Sequence, residues 1–349
     1  MTRPLPFPPE ALHLPPGIGE NLLRNFRGRV RWYGIEGGAE GEPQVGELTG
    51  PREEGLWWSG WRHLVVGYTP DPHLLLHDPV GGHLSIRATG YGDSSEELYR
   101  DSDWPTGYRV ARRVALPIGD VAQYLFHDPD TGQLDLVEVT RAGQRVTVRR
   151  RRRWHDRSLV GWSDAVAVTR SSTDQQATHL LLLRPDRTGL EVRRFSDVTH
   201  RVATVRFGSR AERLVVGWYD ANGGGDTGDD LLVQLLPTTH EEPAAHVLRV
   251  YVQDGDDGYA PAANTLVGRP FTSLTTAPLT IGGRSELVAL DRERGDLTVF
   301  DTDADGRPFV IDLHRGIAPG WEQVVYVPDL SGQDAYGQPL RSLLLYRSS

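Results

Sequence analysis

The chain contains no cysteine and no lysine. Without cysteine there are no disulfides, thiolate metal ligands or thiol nucleophiles, and the redox compartment stays open. Without lysine, all 38 basic residues are arginine, which excludes Schiff-base chemistry and a P-loop lysine. No apolar run approaches the ~20 residues that cross a bilayer, so no membrane span is expected. Residues 1–24, rich in proline, lack an apolar signal-peptide core and read as an extended arm ahead of a single domain of residues 25–349. The expected location is the cytoplasm, or outside it by a route needing no such signal. A net charge of −9 argues against nucleic acid or an anionic membrane as main partner. Helix signal is nearly absent, while 38% hydrophobic and 24% charged residues describe a folded protein.

What is present is a repeat. "HLLLHDPVGGHLSIR" from His73 and "YLFHDPDTGQLDLVE" from Tyr124 share an apolar run, His-Asp-Pro, a glycine and then alternating residues. Alternating segments start at Gly28, Gly82, Gly132, Gly189, His246 and Gly295, with spacings of 49 to 57 residues. Apolar runs precede the last five, at Leu74, Tyr124, Leu180, Leu231 and Glu286. Each is preceded by another, at Leu64, Val114, Ala165, Leu214 and Leu279. Short apolar runs bounded by Gly, Pro and Asp are strand signals, and period-2 alternation marks strands with one wet face. Fourth strands are expected at Arg145, Arg201 and Phe309. A further pair of runs, at Gln323 and Leu343, has nothing after it, and the segment at Gly28 has nothing before it. The pattern predicts an all-β, six-bladed β-propeller of four-stranded blades, closed by N- and C-terminal strands that share one blade. The alternative is seven blades, the extra one within residues 35–60. "HDP" and "RPD" mark the turn between second and third strands.

Trp61, Trp162 and Trp321 each stand three residues before a first strand, and Ala111, Ala211 and Thr276 are read as their equivalents. Such rings either plug the space between blades or line clefts where a ring stacks on a sugar. On the second reading the ligand-binding candidates are Trp58, Trp61, Trp104, Trp162, Trp218 and Trp321. A Trp, a short strand and then "LLLHDPVGG" or "YLFHDPDTG" resembles the blade of tectonin-like and fucose-binding bacterial propeller lectins. The resemblance implies non-catalytic, multivalent sugar binding between blades. His77 and His127 replace the aromatic residue usual there.

"DTDADGRPFVID" places Asp301, Asp303, Asp305 and Asp312 at positions 1, 3, 5 and 12 of a calcium loop, with Gly306 at position 6. The competing reading is an Asp-Gly hairpin turn. "LVVGWYDANGGGDTGDDLLV" resembles the calcium loops of integrin-type and VCBS-type repeats, which implies Asp220, Asn222, Asp226 and Asp230 as ligands for a structural Ca2+. "VRRRRRW", from Val148 to Trp154, holds five consecutive arginines. On a regular strand, Arg149, Arg151 and Arg153 share a face and offer an anion or an acidic partner a patch. An edge strand charged against pairing is the alternative. His77 and His127 occupy one place in successive repeats and read as architectural; no nucleophile elbow accompanies the histidines. The expected function is carbohydrate recognition without catalysis. The alternatives are a protein-interaction scaffold or cargo of a larger secreted assembly, and a glycan hydrolase or lyase acting at the central opening.

Overall fold

The computed structural model describes residues 28–35, 48–69, 71–89, 96–114, 121–142, 145–170, 177–217, 219, 230–236, 246–255, 257–277, 285–333 and 339–348. The chain opens with β1 (Gly28–Ile35) and β2 (Leu48–Trp57), which belong to the last blade. Blade one follows as β3 (His63–Thr69), β4 (Asp71–Asp78), β5 (His83–Ala88) and β6 (Glu97–Asp101). Blade two is β7 (Val110–Arg113), β8 (Val121–Asp128), β9 (Gln133–Ala142) and β10 (Arg145–His155). Blade three is β11 (Asp164–Val168), β12 (His179–Leu183), β13 (Gly189–Arg194) and β14 (Arg201–Arg206). Blade four is β15 (Ala211–Gly217), β16 (Asp230–Leu235), β17 (His246–Asp254) and β18 (Gly258–Val267). Blade five is β19 (Ser273–Ala277), β20 (Glu286–Asp291), β21 (Asp296–Thr302) and β22 (Pro308–His314). Blade six takes β23 (Gln323–Gln333) and β24 (Pro339–Arg347) and completes itself with β1 and β2, in the order β2-β1-β24-β23.

All pairings are antiparallel, and the six sheets form a six-bladed β-propeller with its ends joined in one blade. The seven-blade alternative fails because residues 48–57 supply the outer strand of blade six. Two first strands lie upstream of the apolar runs at Val114 and Leu279. They are β7, with sequence VARR, and β19, with sequence SLTTA. The arm of residues 1–24 lies outside the described residues.

The second strands are buried on both faces, as the Leu-rich runs require: Leu74, Leu75, Leu76 and Leu180 are fully inaccessible. Buried apolar side chains gather in six clusters, each contributed by two neighbouring blades. The blades are thus held mainly by core packing, with only isolated backbone bonds between them such as Ala211 N–H to the Arg187 carbonyl at 2.7 Å. The turns after β4, β8 and β20 share one chemistry. Asp78 Oδ1 accepts from the backbone N–H of Val80 and Gly81, both at 2.9 Å, and Asp128 and Asp291 make the same turn. Gly82, Gly132 and Gly295 then take φ of 67°, 71° and 70°. A Cβ there would stand 2.3–2.6 Å from backbone of the segment after the outer strand, so glycine is required twice over. The sequence rule "HDP, then Gly" encodes this turn.

Candidate functional site

The tryptophans expected to stack on a ligand are mostly inside. Trp61, Trp104, Trp162 and Trp321 are all buried. The register also corrects their equivalents. The residue two before the first strand is Trp61, Tyr108, Trp162, Phe271 and Trp321 in five blades, and Ala211 opens β15 in the sixth. This position is an aromatic plug between blades. Several ring faces are taken by guanidinium groups of the chain itself: Arg193 over Trp162 at 5.3 Å, Arg31 and Arg347 over Trp321 at 5.2 and 5.1 Å, and Arg150 over Trp104 at 5.7 Å. These rings are buried as well, so with the guanidinium in place they leave a sugar no face to reach. Trp58 is half-buried, donates from Nε1 to Asp78 at 3.0 Å and meets His83 edge-on. Trp218 lies outside the described residues.

Of the calcium-loop candidates, Asp301 lies near the end of β21, Asp303 and Asp305 lie in the hairpin turn between β21 and β22, and Asp312 stands in β22. Asp303 Oδ1 turns back to accept from the N–H groups of Asp305 at 3.0 Å and Arg307 at 2.8 Å. Asp312 sits opposite Val299 in the sheet and pairs with His314 at 2.9 Å, away from the turn. Among the described residues no three His, Asp or Glu side chains converge as metal ligands. Of the second candidate set, Asp220, Asn222 and Asp226 lie outside the described residues. Asp230 is buried at the start of β16 and accepts from the Tyr219 N–H at 3.3 Å.

The arginine run is β10, the outermost strand of blade two, but Arg149, Arg151 and Arg153 do not share a face. A bulge at Arg151 breaks the alternation: Arg149 pairs with Glu138, Arg150 with Val137, Arg152 with Leu136 and Arg153 with Asp135. Arg150 and Arg153 therefore turn toward blade one, where both meet Asp135, which is wholly buried. Arg150 Nε stands 2.5 Å from it, and Arg153 binds through Nε at 2.9 Å and Nη2 at 3.0 Å. The Tyr108 hydroxyl donates to the same carboxylate, and burial followed by that bond pushes its pKa up to about 12. The Asp135 bond likewise holds the Arg153 pKa above its ordinary value. This half of the run is a structural network in which two guanidiniums hold one buried carboxylate.

The other half faces blade three. Arg149 is exposed; Arg151 approaches Glu138 at 3.8 Å; Arg152 donates to the Ser196 carbonyl at 3.1 Å and lies 4.5 Å over Trp154. Trp154, half-buried, meets Phe195 of blade three at 5.6 Å, and its indole N–H is buried without a hydrogen-bond partner. Across the gap Arg201 is exposed and pairs with Glu191 at 3.6 Å. A half-covered aromatic pair flanked by polar groups thus sits where blades two and three meet. Sequence reasoning passed over Trp154 because it stands in an outer strand and not before an inner one.

At the inner strands, carboxylates are already matched. Asp164 takes Arg112 at 2.6 Å, and Glu212 takes His246 at 3.0 Å and the Gln234 amide at 2.7 Å. His63 and His77 contact through their Nδ1 atoms at 3.0 Å, and His63 Nε2 reaches the Arg109 carbonyl at 2.9 Å. Compared with known proteins, the chain matches no family model and no curated sequence.

Proposed function

We propose that this propeller is a non-catalytic recognition protein that binds carbohydrate in the cleft between blades two and three. The observation that carries the reading is the Trp154–Phe195 pair, half-covered, bridging two blades and bordered by exposed arginines. Aromatic faces suit the apolar face of a sugar ring, and the surrounding N–H donors suit its hydroxyls. Arg152 covers one face of Trp154, but its side chain is exposed, so a ligand that displaces it meets both the ring and the guanidinium.

The test is a glycan array with wild type and Trp154→Ala. Wild type is expected to retain at least one glycan class, and the variant to lose about tenfold or more in affinity, as removal of one stacking anchor predicts, with unchanged circular dichroism. Failure of any glycan to bind, or full binding by Trp154→Ala, counts against the reading.

A further inference from the structure

We propose that the ligand of this cleft is an acidic polysaccharide, a chain bearing sulfate or carboxylate groups; the inference rests on the carbohydrate reading and specifies its class. Charge is distributed very unevenly around the ring. Residues 109–210, which build blades two and three, hold nineteen arginines and eleven carboxylates, a net +8. The rest of the chain then carries −17, since the whole is −9. The positive half is concentrated on β10, which has six arginines and no acidic residue.

Edge protection does not account for this strand. β18 (GYAPAANTLV) is the same outer strand of blade four and has no charged residue, and β22 has one carboxylate and no arginine. This ring tolerates uncharged outer edges, so five successive arginines exceed what guarding an edge requires. Nor are they all absorbed internally. The bulge sends Arg150 and Arg153 to Asp135, and leaves Arg149, Arg151 and Arg152 exposed on the side of Trp154. Arg201 adds a fourth guanidinium, and the carboxylates these groups pair with, Glu138 and Glu191, stand at 3.8 and 3.6 Å.

The geometry favours a chain over a single anion. Arg149 and Arg152 lie opposite Glu138 and Leu136, two residues apart on β9, which is about 7 Å along the strand. The guanidiniums are thus strung along an edge instead of enclosing one point. Guanidinium pairs well with sulfate and carboxylate through its fork of N–H donors. A nucleic acid long enough to leave the two basic blades meets a surface of net −17, which opposes it.

The experiment measures binding of the full chain to immobilised dextran sulfate, polygalacturonate, neutral dextran and duplex DNA at an ionic strength of about 0.15 M. The variant is Arg149→Ala/Arg151→Ala/Arg152→Ala. The control, Arg269→Ala/Arg307→Ala/Arg315→Ala, removes the same charge from exposed positions in or beside blade five. Expected are binding to an acidic polysaccharide but not to neutral dextran, a loss of about tenfold or more in the β10 variant, and a change under about twofold in the control. Neutral-glycan binding that the β10 variant keeps overturns the acidic class while leaving carbohydrate recognition standing. Retention of no glycan of any charge overturns the parent reading as well. DNA bound as tightly as the polysaccharide, or equal losses in both variants, reduces the effect to unspecific charge and overturns the proposal.

Discussion

His77 shows how a repeat position acquires chemistry from its neighbours. The same place is held by His77, His127, Leu183, Gln234, Leu290 and Tyr346, all buried. A carbonyl only accepts, so His63 must donate to Arg109 from Nε2; its Nδ1 is then the acceptor and His77 donates from Nδ1. His77 Nε2 is left buried with no partner. Burial lowers the His63 pKa to about 4, and burial reinforced by the neighbouring His63 charge lowers that of His77 to about 3. Between pH 6.5, the ordinary imidazole value, and about 4 the unfolded chain takes up protons that the folded chain refuses. Stability is therefore complete above this window and falls as pH drops through it, on the order of 3 kcal/mol for one imidazole displaced this far. His77→Gln, a residue that the repeat already uses at Gln234, is expected to melt near wild type at pH 7 but to lose less between pH 6.5 and 4. Calorimetric melting across that range checks it; parallel curves for the two proteins would place the acid sensitivity elsewhere. Such residue-level facts were only partly legible. The sequence showed that His77 and His127 are architectural, but the carbonyl that fixes a tautomer comes from another blade.

At the level of the element, β10 carries the argument. Its bulge decides which arginines are internal and which face the cleft. Arg151→Ala removes an exposed side chain and is expected to change stability by no more than about 0.5 kcal/mol. Deleting Arg151 instead removes the bulge and keeps every other pair, Arg150 opposite Val137 and Arg152 opposite Leu136, so Val146 and Val148 stay in the cluster they pack against. That deletion is expected to cost no more than about 1 kcal/mol, since it straightens the strand without exposing buried side chains. Urea titration of both variants checks this, and a deletion midpoint far below that of Arg151→Ala would show that the bend made by the bulge is itself required. A bulge is one residue in a run of identical ones, so no sequence period announces it. The other misplaced elements have a similar origin. β7 and β19 are short first strands with few apolar residues, and the stronger runs just downstream drew the assignment. By contrast the second strands, buried on both faces, and the Asx-glycine turns behind them were readable directly. The aromatic plugs were readable as a pattern with two readings, packing between blades or lining a cleft; choosing between them needs the neighbouring blade and the arginines that cover the rings.

Ring closure belongs to the whole molecule. Five blades are continuous in sequence, whereas blade six joins β1 to β24 with Arg29 opposite Arg347 and Ile35 opposite Arg341. Its core is shared with blade one through Trp57, Val30 and Tyr346, and with blade five through Tyr33 and Ile35. Loss of β1 and β2 therefore opens two blade interfaces and bares an edge of β24. A chain starting at Trp58 is expected to lose its cooperative melt and to associate, because six mutually dependent interfaces become four intact and two incomplete. A circular permutant joining Ser349 to Met1 and opening between Arg315 and Gly316 keeps every strand pair. It makes blade six continuous like the others, since its strand order becomes β23-β24-β1-β2. This permutant is expected to melt in one transition within a few degrees of wild type, an interval corresponding to about 1 kcal/mol or less. Differential scanning calorimetry with size-exclusion chromatography reads both predictions. A truncated chain that melts sharply as a monomer would show that blades hold without closure, and the cleft between blades two and three would then owe nothing to the strand shared by the chain ends.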